Sequence, residues 1–329
     1  METSRIKTVD ALRGIASASV CLFHLTNGPT PFVFLPEGPL KSLGSFGKLG
    51  VQVFFVISGF IIPYSLFKAG YRLNQYGIFI IKRIVRLDPP YLATILFVIV
   101  LGYLSAMVPG FHGPPYRVTI PQVLLHLAYL NVFFDGNWLV GAFWTLAIEF
   151  QYYLLMGLLF PLISHKHTGM RLLIFLLLGS MAIQFPDHHF LPHWLFLFMM
   201  GMLAFQRRSG LIGGGTFWGV LAMLAGGACY TLEPAMAGAG LAATLAITFG
   251  NFRNRVLLFF GTISYSLYLV HMPVGSKVIN LGYRFGHGMA AKLSLIATGF
   301  VLSVAVAGLL YRFVEKPAQA WAAGFKYRK

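Results

Sequence analysis

Apolar residues run along this chain in blocks of about 20, separated by short polar, glycine-rich or proline-rich breaks. Such blocks fall near residues 7–26, 46–67, 89–108, 138–163, 171–185, 190–206, 211–231, 235–250, 256–274 and 292–314. At 1.5 Å per residue, a helix of that length crosses the hydrocarbon of a bilayer. A membrane β-barrel would show shorter segments alternating between apolar and polar, which these continuous runs exclude. The pattern predicts an all-α, polytopic membrane bundle of about ten transmembrane helices. It forms one unit over residues 1–329, with no separate soluble domain. The shorter run 123–134, between Pro121 and Asp135, reads as an interfacial or re-entrant piece.

Composition strengthens this reading. Hydrophobic residues make up 57% of the chain and charged residues 10%, where soluble domains carry about 25% charge. The net charge of +16 would suggest nucleic acid as a partner in a soluble protein, but here the basic residues sort by membrane side. With the N-terminus inside, one side collects 18 of the 25 Lys and Arg, from Arg5 and Lys7 through the 68–86 segment to Arg328 and Lys329. The other side holds 6 of them, Lys41, Lys48, Arg117, Lys277, Arg284 and Lys292. Both termini are therefore expected to be cytoplasmic, with lipid rather than nucleic acid as the partner. Asp10 and Arg13 interrupt what would be a signal-peptide core, so the first span is expected to stay uncleaved. Cys21 and Cys229 lie in apolar segments and support neither a disulfide framework nor a thiolate metal site. Glycines 213–215, 226, 227, 238 and 240 are expected to let the seventh and eighth spans pack closely.

Charge inside a span costs roughly 2.5 to 3.5 kcal/mol on insertion scales, so each such residue requires a reason. The first span carries Asp10, Arg13 and His24. Eleven helical steps bring His24 back to within about 20° of Arg13, so the two share a face about 16 Å apart. Asp10, three residues before Arg13, is placed to neutralise the guanidinium. Arg13 fits either a snorkelling helix-end residue or a working one. His24 fits either a helix-to-helix hydrogen bond or a general base, since imidazole titrates near neutrality. Glu149 sits near the middle of the fourth span with no basic residue within a turn, and its expected partner is Arg13, His24 or a substrate. Trp144 and Tyr152 nearby read as core or interface aromatics.

The segment FIIKRIVRLDPPYL places Lys82, Arg83 and Arg86 on the cytoplasmic side. Guanidinium groups grip phosphate bidentately, but on charge alone ordinary positive-inside anchoring is the favoured reading of such a cluster. Asp88 before Pro89 and Pro90 reads as a helix cap with proline in the first turn. His271, at the outer end of the ninth span, is placed to contact an external acceptor. His188, His189 and His193 lie in an external turn and, lacking a carboxylate or cysteine set, give no metal site by sequence. There is no Walker loop, no dinucleotide glycine pattern after a strand, no GxSxG elbow and no HExxH.

Six segments in order resemble the acyltransferase-3 family of integral membrane acyltransferases, which includes O-antigen, exopolysaccharide and nodulation-factor O-acetylases. They are VDALRGIASASVCLFHL, with Arg13 and His24 at the family's spacing, then GVQVFFVISGFII at 50–62, KRIVRLDPPYL at 82–92, FWTLAIEFQYYLL at 143–155, ISYSLYLVHMP at 263–273 and YRFVEKP at 311–317. The chain departs from the family at Asp88, where an aromatic or aliphatic residue is usual, and shows no SGNH-type domain after the last span. The resemblance implies transfer of an acyl group, usually acetyl from acetyl-CoA, to a hydroxyl of a sugar or other acceptor in a bacterial inner membrane. It marks the residues matching Arg13 and His24 as essential and those matching Arg83 and Arg86 as donor-associated.

The expected mechanism has Lys82, Arg83 and Arg86 hold the CoA phosphates while the thioester enters along the first-span stripe. His24 acts as general base, Glu149 orients it and Arg13 stabilises charge or organises the donor path, with Asp10, Trp144 and His271 in support and no metal. The competing expectation is a proton-coupled transporter or flippase using Asp10, Arg13, His24 and Glu149, against which no inverted repeat is visible.

Overall fold

The computed structural model describes residues 6–28, 34–108, 116–134 and 136–327. Arg5, Asp135, Arg328 and Lys329 lie outside the described residues. The described residues form helices without strands: α1 (Lys7–Asn27), α2 (Pro39–Ser45), α3 (Gly50–Ala69), α4 (Tyr76–Ala106), α5 (Ile120–Leu127), α6 (Trp144–Ile163), α7 (Thr168–Gln184), α8 (Leu191–Arg208), α9 (Gly214–Thr231), α10 (Pro234–Phe249), α11 (Arg255–Thr262), α12 (Ser264–Gly282), α13 (Met289–Leu310) and α14 (Lys316–Gly324). The predicted apolar blocks fall on these helices, the block 256–274 being divided between α11 and α12. By length and composition, four helical stretches among the described residues suffice to cross a membrane: Pro39–Ala69, Leu73–Ala106, Gly141–Ile163 and Met289–Gly324. The pair α11 and α12, bent by 73°, makes a fifth if taken as one span. α7 and α10 are apolar but shorter, so these criteria support fewer crossings than the ten blocks suggested.

Two hydrophobic cores form. One gathers around α3 and α8, with α6, α7, α9 and α10 packed on them. The other joins α1, α4, α12 and α13. Glycine sets the two tightest crossings. A Cβ on Gly59 would stand 2.2 Å from the Phe198 carbonyl oxygen, and one on Gly201 would stand 2.1 Å from that of Val56, so α3 and α8 meet backbone to backbone. Gly14 and Gly261 do the same for α1 and α11, against Leu257 and Asp10. The glycines singled out by sequence serve this purpose less: Gly227 and Gly240 face α8, whereas Gly213, Gly214, Gly215, Gly226 and Gly238 have open space beside them.

Polar contacts tie together the helix ends that the basic residues mark. Thr8 Oγ1 donates to the Gly250 carbonyl, Arg208 to that of Ile247 and Arg171 to that of Leu211. At the opposite end Lys48 pairs with Glu233 at 3.1 Å.

The clearest departure from expectation is α4. Asp88 does not cap a helix, because α4 continues through Pro89 and Pro90 as one 31-residue helix. The prolines leave the carbonyls of Val85 and Arg86 without their usual donors four residues on, an interruption that membrane helices tolerate. Beside them Tyr265 Oη donates to the Leu87 carbonyl and Tyr129 Oη to Asp88 Oδ1, both at 2.9 Å. Tyr129 arrives on the segment after α5, the short helix expected as a re-entrant piece. It adopts φ 57°, unusual for a residue with a bulky side chain, and its ring stacks between Tyr91 and Phe150. The consequence for the site is that Lys82, Arg83 and Arg86 stand on a rigid helix rather than in a loop.

Candidate functional site

A cavity of about 710 Å³ opens between the two cores. α1 contributes Asp10 and Arg13 to its lining; α4 contributes Lys82, Arg83 and Arg86; α6 contributes Thr145, Glu149 and Tyr153; and α12 contributes Tyr265 and Tyr268. A single π-helical turn, Tyr311–Glu315, joins α13 to α14 and adds Glu315. Such turns recur at functional sites because the widened ring re-aims a side chain. The chain holds only nine acidic residues, and three of them, Asp10, Glu149 and Glu315, line this one space.

The four cations differ in how they are held. Arg83 Nη2 donates to Ser65 Oγ at 3.0 Å, and its guanidinium lies 5.2 Å from the Phe79 ring and 5.7 Å from that of Tyr153. Lys82 Nζ donates to the Phe325 carbonyl and sits 5.2 Å from the Tyr327 ring, so it is engaged with the segment after α14. Arg13 and Arg86 make no hydrogen bond or ion pair among the described residues. Glu315 attracts both through space, while its own oxygens are fixed by the Ser266 hydroxyl at 2.6 Å, the Ser266 N–H at 3.2 Å and Gln319 Nε2 at 2.8 Å. Two guanidinium groups that face a cavity without protein acceptors can receive an anion bidentately.

Several pairings differ from expectation. Asp10 does not close on Arg13: the ion pairs among the described residues are Lys41 with Glu37, Lys48 with Glu233 and His189 with Asp187. Glu149 finds hydroxyls rather than a cation or His24, with Oε1 accepting from Ser58 Oγ at 2.7 Å and from Tyr153 Oη. Trp144 lies against Phe55 and Trp194, within the aromatic packing around α8 and off the cavity wall.

His24, in the last turn of α1, does not line the cavity. Its Nδ1 lies 3.0 Å from the Val20 carbonyl and 3.1 Å from Nε2 of His271. His271 is almost wholly buried, and its Nδ1 lies 2.7 Å from the Tyr268 carbonyl. Tyr268 forms part of the cavity wall together with Phe54 and Thr145; its hydroxyl meets Thr145 Oγ1 at 2.7 Å. The basic residues and the histidine pair thus occupy one bundle, linked through Tyr268, whose side chain lines the cavity and whose carbonyl meets His271. Sequence reading had put His24 and His271 on different spans without joining them, and it assigned Glu315 and Tyr268 no role. Their only signal was their place within YRFVEKP and ISYSLYLVHMP.

In the turn between α7 and α8 a carboxylate does accompany the histidines, contrary to the sequence reading. Asp187 Oδ1 accepts from the His189 N–H at 2.9 Å and meets its Nδ1 at 2.8 Å; these contacts hold the carboxyl below the ordinary carboxylate range. Ligand atoms of Asp187, His188 and His189 lie within 4.8 Å of one another, although all three residues are exposed.

Comparison with known proteins finds the family model described as an acyltransferase domain over residues 6–312. Nodulation protein 10 of Rhizobium leguminosarum bv. viciae is 26% identical, over 94% of this chain and 92% of that protein. The acyltransferase MdmB of Streptomyces mycarofaciens is 24% identical, over 95% and 91% of the two chains. A putative membrane-bound transacylase, BcsY of Komagataeibacter xylinus, is 29% identical over 50% of this chain and 40% of its own length. No solved structure matches.

Proposed function

The chain belongs to the acyltransferase-3 family, and on that premise we propose that it is an O-acyltransferase moving an acyl group, acetyl in the first instance, from acyl-CoA to a hydroxyl of a sugar or glycan. That it is a membrane enzyme transferring acyl groups follows from the family. The donor, the acceptor and a bacterial inner-membrane location are our reading.

The observation that carries it is the pair Arg13 and Arg86, two arginines without hydrogen-bond acceptors among the described residues, in a cavity large enough for an extended thioester arm. With Arg83 fixed beside them by Ser65, these groups supply the charge and planar donors that a nucleotide phosphate requires. Lys82 flanks the mouth while tethering the 325–327 segment. The acyl end then lies toward Thr145 and Tyr268, and displacement of that wall admits it to His24. His24 Nε2 takes the proton from the acceptor hydroxyl, whose oxygen forms the new ester bond at the thioester carbonyl. The C–S bond breaks, and the leaving thiolate recovers the proton from the imidazolium. Arg13, about 16 Å back along the same helix, organises the donor path rather than the reacting carbonyl.

The transport reading lacks a specific observation in its favour. His24 is bonded to His271 and lies off the cavity that holds Asp10, Arg13 and Glu149, so the four do not form a continuous relay. The deciding experiment follows radiolabel from acetyl-CoA in membranes holding wild type or His24→Ala, across lipid-linked, polysaccharide and small-glycan fractions. Label in one fraction that disappears in the variant at equal protein level is the expected result. No label with acetyl, propionyl and succinyl donors alike refutes the proposal.

A further inference from the structure

The contacts of the histidine pair determine which ring nitrogen does the work. His271 Nδ1 faces two carbonyl oxygens, Tyr268 at 2.7 Å and Leu267 at 3.2 Å. A carbonyl can only accept, so this nitrogen carries the proton, and in neutral imidazole Nε2 is left with a lone pair. That lone pair lies 3.1 Å from His24 Nδ1, which also lies 3.0 Å from the Val20 carbonyl. His24 Nδ1 therefore faces two acceptors and must itself donate. A neutral His24 then holds its free lone pair on Nε2, which makes no hydrogen bond to the described residues.

We propose that His271 is a positioning residue for acyl transfer: it fixes the ring and tautomer of His24 so that Nε2 is the atom presented to the acceptor hydroxyl. The assignment rests on the reading of His24 as base given above. Val20 alone is a weaker guide, because its carbonyl belongs to the same helix and moves with it. His271 instead approaches from α12, and its own orientation is set by the Tyr268 carbonyl. The two helices thereby define the imidazole from both sides, as the acidic partner does for the histidine of a hydrolytic triad. When Nε2 becomes protonated, His271 still accepts from Nδ1, so the same geometry serves both protonation states.

The test compares His271→Gln with His271→Leu in purified protein, with His24→Ala as reference and thermal melting as the control for folding. Gln offers a carbonyl oxygen to His24 Nδ1–H; Leu offers nothing. The expected result is a kcat about 10- to 100-fold lower in His271→Leu, with donor KM little changed and a substantial part of kcat recovered by Gln. In nitrogen-15 spectra of histidine-labelled protein, wild-type His24 is expected as the single Nδ1–H tautomer, and His271→Leu as a mixture. Equal kcat in Leu and wild type, or a wild-type His24 protonated on Nε2, overturns the proposal. The spectrum of wild type decides it even if a variant fails to fold. Transfer that survives His24→Ala refutes the base reading instead, which separates the two failures.

Discussion

Lys82 Nζ donates to the backbone carbonyl of Phe325, so one of the three basic residues on α4 is already engaged by the chain itself. Arg86, one helical turn farther along, has no such acceptor. Loss of a charge-assisted contact costs about 1.5–3 kcal/mol. Arg86→Ala is therefore expected to raise the donor KM about 10- to 100-fold, while Lys82→Ala has a smaller effect. Initial rates against acyl-CoA concentration measure both, and the reverse order would show that the 325–327 segment yields Lys82 to the donor.

Glu149 is anchored by hydroxyls, which makes its structural and charge roles separable. Glu149→Gln keeps an oxygen for Ser58, whereas Glu149→Leu leaves the Ser58 and Tyr153 hydroxyls without their acceptor. The Leu variant is expected to lose about 1–3 kcal/mol relative to Gln. Thermal melting in detergent reads the difference.

On the cavity wall beside His271, the Tyr268 hydroxyl meets Thr145 Oγ1 at 2.7 Å and the Ala142 carbonyl at 3.2 Å. Tyr268→Phe and Thr145→Val remove the contact between the two hydroxyls with little change in volume. Each is expected to increase hydrolysis of acyl-CoA in the absence of acceptor, because water then shares the passage meant for the acyl end. Thiol release without acceptor is the assay; rates equal to wild type would mean that the barrier lies elsewhere.

At the α3–α8 crossing there is no room for a side chain, whereas Gly226 is open. Gly201→Ala is expected to cost about 1–3 kcal/mol of stability, and Gly226→Ala much less. A paired melting experiment distinguishes close packing from mere small-residue composition.

Much of this was legible in the sequence, for identifiable reasons. The apolar blocks became helical, since a backbone in hydrocarbon must satisfy its own polar groups, although 256–274 broke into α11 and α12. Arg13, Lys82, Arg83, Arg86 and Glu149 came together because charge in a bilayer has nowhere else to go. Asp88 misled because proline after an acid usually starts a helix, a local rule that gives way here, where α4 runs through Pro89 and Pro90. The His24–His271 contact could not be read at all: the residues lie 247 positions apart, and periodicity describes one helix at a time. Of the packing glycines, Gly227 and Gly240 were placed correctly and the others were not, as close approach is a property of two helices.

The cavity lies along the seam where the two cores meet, with Phe55 and Ile57 from one and Tyr265 and Tyr268 from the other. Packed interiors are nearly incompressible, so a force squeezing the bundle sideways is taken up first in the unfilled space between them. Lateral pressure in the surrounding lipid is therefore a mechanical input to this site: tighter lipid packing narrows the seam, and looser packing widens it.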